Sequence, residues 1–145
     1  MLQSILVCLK SLSEYYQMAH WQSKGENFYE YHLLFERLYG SAGDSIDAVA
    51  EKLIGIGEGQ EKLNLPEIIK QQYSKIKMLP VNASAEAFLN ASIGLENELC
   101  AKIEEIEPSY SVGVRNMLGD IADKAEGRKY LIKQCLNKIA KPIAI

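Results

Sequence analysis

Proline occurs in this chain only at positions 66, 80, 108 and 142, and the long stretches between carry apolar residues at three- and four-residue steps. Proline removes a backbone donor and clashes inside a helix, so these positions mark where helices start or stop. The apolar spacing between them is that of an amphipathic helix. A first helix is expected from about Leu2 to Ser23, with Ile5, Leu9, Leu12, Tyr16 and Ala19 as its stripe. Lys24 and Gly25 end it, glycine being suited to a left-handed terminus. A second is expected from about Asn27 to Ile56, capped by Asn27 and stopped by Gly57 and Gly59. Its stripe is Phe28, Tyr31, Phe35, Leu38, Ile46, Val49, Leu53 and Ile56. A short helix is expected to begin around Pro66, spanning Leu65 to Lys75. Two more long ones are expected, Ser84–Ile106 with Ser84 as cap and Ser109–Ile139 ending before Pro142.

Four long helices with one extended crossover describe an all-α, four-helix bundle of the ferritin-like kind, with a short extra helix between helices two and three. The 145 residues suffice for one domain, 1–145, with a substantial core. No strand-like alternation exceeds four residues, and no internal repeat is visible. Gly40 and Gly43 fall inside the second helix, each costing about 1 kcal/mol against alanine. A kink, a close approach by another backbone, and simple tolerance are the readings open there.

Composition excludes several functions. The net charge of -3 disfavours nucleic acid as an obvious partner. No run of 18 apolar residues is present to span a membrane. The first ten residues have no basic start and no small-residue cleavage site, so they read as helix and not as a secretion signal. Cys8, Cys100 and Cys135 form no CxxC pair and read as buried thiols of a reducing cytoplasm.

The chemistry rests on His20, His32, Asp47 and Glu51, separated by 12, 15 and 4 residues. Asp47 and Glu51 share a helix face. His20 lies five residues before Gly25 and His32 seven after it, so an antiparallel hairpin brings both to one height. Asp47 lies 15 residues beyond His32, roughly 22 Å along a helix, too far for one metal ion. Either the two pairs are unrelated, or a two-fold axis brings one chain's carboxylates beside the other chain's imidazoles. Mixed nitrogen and oxygen ligation would suit iron(II), manganese or zinc. Only two histidines are present and no Glu-x-x-His pair, which removes the usual di-iron site inside a single bundle.

Two stretches resemble the signatures of Dps-type mini-ferritins. The first is His20-Trp21-Gln22-Ser23-Lys24-Gly25-Glu26-Asn27-Phe28, followed by His32, Phe35 and Glu36. The second is Ile46-Asp47-Ala48-Val49-Ala50-Glu51-Lys52, then Ile56-Gly57. The resemblance implies a hollow shell of twelve identical chains, a homododecamer. It implies a ferroxidase that oxidises iron(II), preferably with hydrogen peroxide, and stores ferric mineral. Iron (Fe2+/Fe3+) is thus the implied metal and oxidative-stress protection the implied role. His20 and His32 would ligate iron from one chain, Asp47 and Glu51 from its partner. Glu36 would lie beside the centre as a further metal-site residue, hydrogen-bonding a bound water or imidazole or helping a second iron, and Trp21 would be the aromatic next to the iron. Asp120 and Asp123 are candidates for an acidic pore.

Departures from the family pattern are present. Lys52 stands where the family usually has arginine, and Ser23 and Tyr31 replace positions that are commonly aliphatic. The tryptophan near the end of the last helix is replaced by a region holding Tyr130 and Ile132. A lysine-rich tail is missing, Lys138 and Lys141 are few, and Lys124, Arg128, Lys129 and Lys133 alternate with Asp120, Asp123 and Glu126. That mixture reads as a solvated face, so DNA binding is expected to be weak or absent. The alternatives are a ferritin-like structural or interaction protein with a metal site but little turnover, and a DNA-protecting protein.

Overall fold

A computed structural model describes the backbone of residues 1–139 and the side chains through residue 137. The chain forms α1 (Leu2–Gln22), α2 (Phe28–Gly43), α3 (Ile46–Gly55), the single turn α4 (Gly59–Lys62), α5 (Leu65–Ile76), α6 (Ala85–Ile106) and α7 (Val112–Ile139). No strand occurs among the described residues. Helix α1 packs on α2 and α6, and α7 closes the ring by packing on both α6 and α2. These four contacts make a four-helix bundle. The crossover helix α5 lies outside it, against α1.

Helix α1 is therefore covered on more than one side. Besides the expected stripe it buries Leu2, Leu6, Val7, Cys8 and Tyr15. Ser11 is also buried, and it satisfies its hydroxyl by donating to the Val7 carbonyl at 2.7 Å. Asn64 caps α5 by accepting from the Glu67 amide, with Pro66 in the first turn. Ile68 and Gln72 form the buried face of α5. Gln72 donates to Glu14 on α1 at 2.8 Å, and Lys75 pairs with Glu98 on α6. The Ser84 side chain caps α6 through the Ala87 amide.

The expected second helix is two helices. The ladder is interrupted at Asp44 and Ser45, between α2 and α3. Both residues stay right-handed, so the chain bends without reversing. The cause is local. Gly43 lacks a side chain where α1 approaches, and a Cβ there would lie 3.3 Å from Ser13 Oγ. Ser13 in turn donates to the Tyr39 carbonyl at 3.2 Å. A hydroxyl inserted beside a glycine-weakened ladder is an established cause of a bend. Apart from its own stretch of helix, no heavy atom of the described residues lies within 4 Å of a Cβ built at Gly40, so no other backbone among them approaches it.

Other expectations shift at the termini. Asn27 makes no side-chain capping bond. The last helix starts at Val112, because Pro108 lies in a 3-10 turn, Glu107–Ser109, and Ser111 accepts from the Val114 amide. None of the three cysteines is in a disulfide; Cys8 is buried and the other two are half-buried. Lys141 and Pro142 lie outside the described residues, as does the Lys138 side chain.

The core also contains an ion pair that the sequence did not suggest. Glu96 on α6 is fully buried and Arg128 on α7 is 2% exposed. Arg128 Nε donates to Glu96 Oε1 at 2.6 Å and Nη2 to Oε2 at 3.0 Å. Tyr16 donates to the same Oε1 at 2.7 Å. Arg128 Nη1 reaches Ser41 Oγ at 3.1 Å. Arg128 therefore does not belong to the solvated face expected for the last helix. Burial, followed by the Glu96 charge, pushes the Tyr16 phenol well above its ordinary value, so it remains a donor.

Candidate metal centre

The turn between α1 and α2 sets the geometry. Gly25 takes a φ of +94°, which favours a residue without Cβ, and its carbonyl accepts from the Phe28 amide. The chain reverses there, and the last turn of α1 lies beside the first turns of α2. His20 and His32 come face to face, with ring centroids 3.7 Å apart and planes 18° from parallel. Phe28 stacks on His32 at 4.8 Å, and Tyr39 sets its edge against His20 at 5.4 Å. Tyr31, adjacent to His32, donates to Glu86 and so ties this end of α2 to α6. Its phenol is pushed up to about 12, mainly by burial, so that bond keeps its donor.

The two imidazoles are bonded reciprocally. His20 Nδ1 lies 2.7 Å from the His32 carbonyl, and His32 Nδ1 lies 2.9 Å from the His20 carbonyl. A carbonyl can only accept, so each Nδ1 carries the hydrogen. In the neutral rings each Nε2 then holds a free lone pair. Fixing a tautomer through the second nitrogen is how ligating histidines are oriented. The sequence foresaw the shared height of these residues, whereas the carbonyl partners depend on how the hairpin closes.

Asp47 and Glu51 occupy one exposed face of α3, a turn apart. Neither has an ion pair or a side-chain hydrogen bond among the described residues. Glu36 is exposed one turn after His32, and Trp21 is 68% exposed. Within a single chain, no three His, Cys, Asp or Glu side chains among the described residues are grouped so as to hold a metal. The structure thus brings the histidines together and leaves the acids apart from them. Asp120 and Asp123 are exposed on α7, where Asp120 pairs with Lys124 at 3.0 Å.

Large apolar side chains close to the histidines in sequence are exposed: Trp21, Phe28, which stacks on His32, Tyr29 and Leu33. No helix of the described residues is long and apolar enough to cross a membrane.

The chain is similar to a solved structure of Dps from Microbacterium arborescens in the high iron form, with a TM-score of 0.79 and 15% identity. The match covers 97% of this chain and 90% of that one. The fold is accordingly the Dps-type, ferritin-like bundle. No family model matches the chain, and no curated protein matches its sequence.

Proposed function

We propose that this chain is an iron-sequestering mini-ferritin whose ferroxidase site forms between two copies. The observation that supports the reading is the reciprocal imidazole–carbonyl pairing, which leaves both Nε2 lone pairs free to ligate. Two imidazoles make only half of a hard-metal site. Unpaired Asp47 and Glu51 on α3 supply the missing oxygen ligands from a partner related by a two-fold axis. The exposed Trp21, Phe28, Tyr29 and Leu33 are the surface such a partner would cover. The likeness to a Dps protein described in a high iron form supports the same assignment.

In this reading iron(II) is the substrate, and hydrogen peroxide is the preferred oxidant. Two iron(II) ions each give up one electron. Peroxide takes both, its O–O bond breaks, and two hydroxides form. Releasing no single-electron product protects the cell from hydroxyl radical. Carboxylate oxygen and imidazole nitrogen stabilise the greater charge of iron(III). Glu36 sits one turn from His32 and assists a second iron or its water. Trp21 lies next to His20 and takes up stray oxidising equivalents. The ferric product collects as mineral inside a shell of twelve chains in the cytoplasm. Asp120 and Asp123 draw iron towards a pore by focusing negative potential. DNA binding is weak or absent, because acidic side chains interrupt the basic positions of α7.

Mixing two variants tests the shared site. His32→Ala and Asp47→Ala should each lose iron oxidation while keeping their helical content. Co-assembled dimers hold one doubly damaged site and one native site, so activity should partly return. Proven mixed assembly with no recovery would refute the proposal.

A further inference from the structure

A cleft of about 270 Å³ lies between α2 and α7, lined by Arg37, Ser41, Lys124, Arg128 and Tyr130 among others. Three of these carry positive charge. Arg37 makes no ion pair among the described residues. Among the described residues Lys124 is tied only to the exposed Asp120, an interaction of little strength in water. Arg128 is the most buried polar residue of the lining. Its guanidinium has five N–H donors, and Glu96 and Ser41 engage three of them. Two donors of a side chain that is 2% exposed thus remain without a partner among the described residues. Ser41 accepts from Arg128, and its own hydroxyl hydrogen has no acceptor among them. Gly127 adds no side chain to the cleft, and a Cβ there would meet nothing within 4 Å.

This is a concave site rich in donors and poor in acceptors. Glu96 neutralises Arg128 and Asp120 offsets Lys124, so the charge of Arg37 is uncompensated. We propose that the α2–α7 cleft binds a small tetrahedral oxyanion, with inorganic phosphate as its ligand. Arg37 and Lys124 hold it at the rim, and Arg128 with Ser41 donate from below. A planar guanidinium and a mobile ammonium complement each other in such a role, one supplying directed donors and the other charge. The deep position of Arg128 favours a compact free anion over a polymer backbone, whose neighbouring sugars could not follow it inward.

The binding step stands whether or not the chain oxidises iron. If it does, as proposed above, a phosphate held on the protein is placed to join the ferric product; that consequence rests on the iron reading.

Titration of the iron-free, assembled protein with inorganic phosphate, read by phosphorus NMR and calorimetry, is the test. Saturable binding is expected, weakened at least about tenfold by the double variant Arg37→Gln, Lys124→Gln. Circular dichroism should show the variant folded. In the unaltered protein, phosphate should also protect Lys124 from acylation, a readout that needs no variant. Equal binding by both proteins, absence of saturable binding, or no protection of Lys124 would overturn the proposal. So would a short single-stranded oligonucleotide that binds through Arg37 and Lys124 while free phosphate does not. Loss of the iron reading with phosphate binding intact would leave this site standing.

Discussion

Two groups of polar side chains in this bundle differ in what they leave open. Glu96, Arg128, Tyr16 and Ser41 meet in the core, where both Glu96 oxygens and the Tyr16 hydroxyl are bonded within the bundle. His20 and His32 meet at the end of a hairpin, each bonded through one nitrogen and open at the other. The first group meets the cost of buried charge with partners and ties four helices together, α1, α2, α6 and α7. The second is bonded only through Nδ1, which fixes the orientation of the rings and leaves each Nε2 without a partner among the described residues. Glu96 and Tyr16, whose bonds close within the bundle, hold the fold, whereas each imidazole Nε2, like the spare donors of Arg128 and Ser41, has no partner among the described residues.

The largest expected effect lies in the core. Arg128→Met alone should cost about 3–5 kcal/mol, because it leaves Glu96 buried and unpaired. Adding Glu96→Leu should recover most of the loss in denaturant unfolding. If the single variant is as stable as the parent, the core network does not have the role assigned to it here.

At the hairpin the order reverses. His32→Ala should lower iron oxidation by about a hundredfold or more, roughly 3 kcal/mol in barrier, while shifting stability far less. A large drop in stability with oxidation retained would make the imidazole stack a structural device.

A pH experiment probes the closed region again. Burial pushes the Cys8 thiol from an ordinary 9.0 up to about 11. Folding favours its neutral form, so this contribution is complete below about pH 9. It is lost as pH rises from there towards 11, by at most about 2–3 kcal/mol. Alkylation of native protein at pH 8 should accordingly leave Cys8 unmodified until the chain unfolds.

The smallest effect concerns the bent helix. Gly40→Ala should stabilise the isolated chain by about 0.5–1 kcal/mol, since its Cβ would enter open space. If unfolding improves but oligomer mass falls, another copy approaches that backbone.

Much of this was legible in the sequence, for identifiable reasons. Periodicity located the four long rods and the crossover helix, and the residue spacing around Gly25 predicted that the imidazoles would meet. Arg128 was misplaced because its charge was weighed ahead of its position. It continues the row Leu118, Ile121, Ala125 and Ile132, all buried. Glu96 likewise falls on the row Leu89, Ser92, Leu99 and Ile103. A charged residue on each of two apolar rows was the signal that could have paired them. The bend at Asp44 and Ser45 was harder to foresee, because it depends on Ser13 of another helix. The carboxylate half of the proposed metal centre lies beyond what one chain's packing can display.

The joint at Asp44–Ser45 divides the proposed donors between two rods, with His32 on one and Asp47 on the other. A tilt of about 10° there would displace groups two turns away by about 2 Å. Coordination bonds tolerate only a few tenths of an ångström. In a shared site, the angle of this elbow would therefore govern which pairing of copies can grip the ion, and residues that never touch it, Ser13 and Gly43, would set the tolerance.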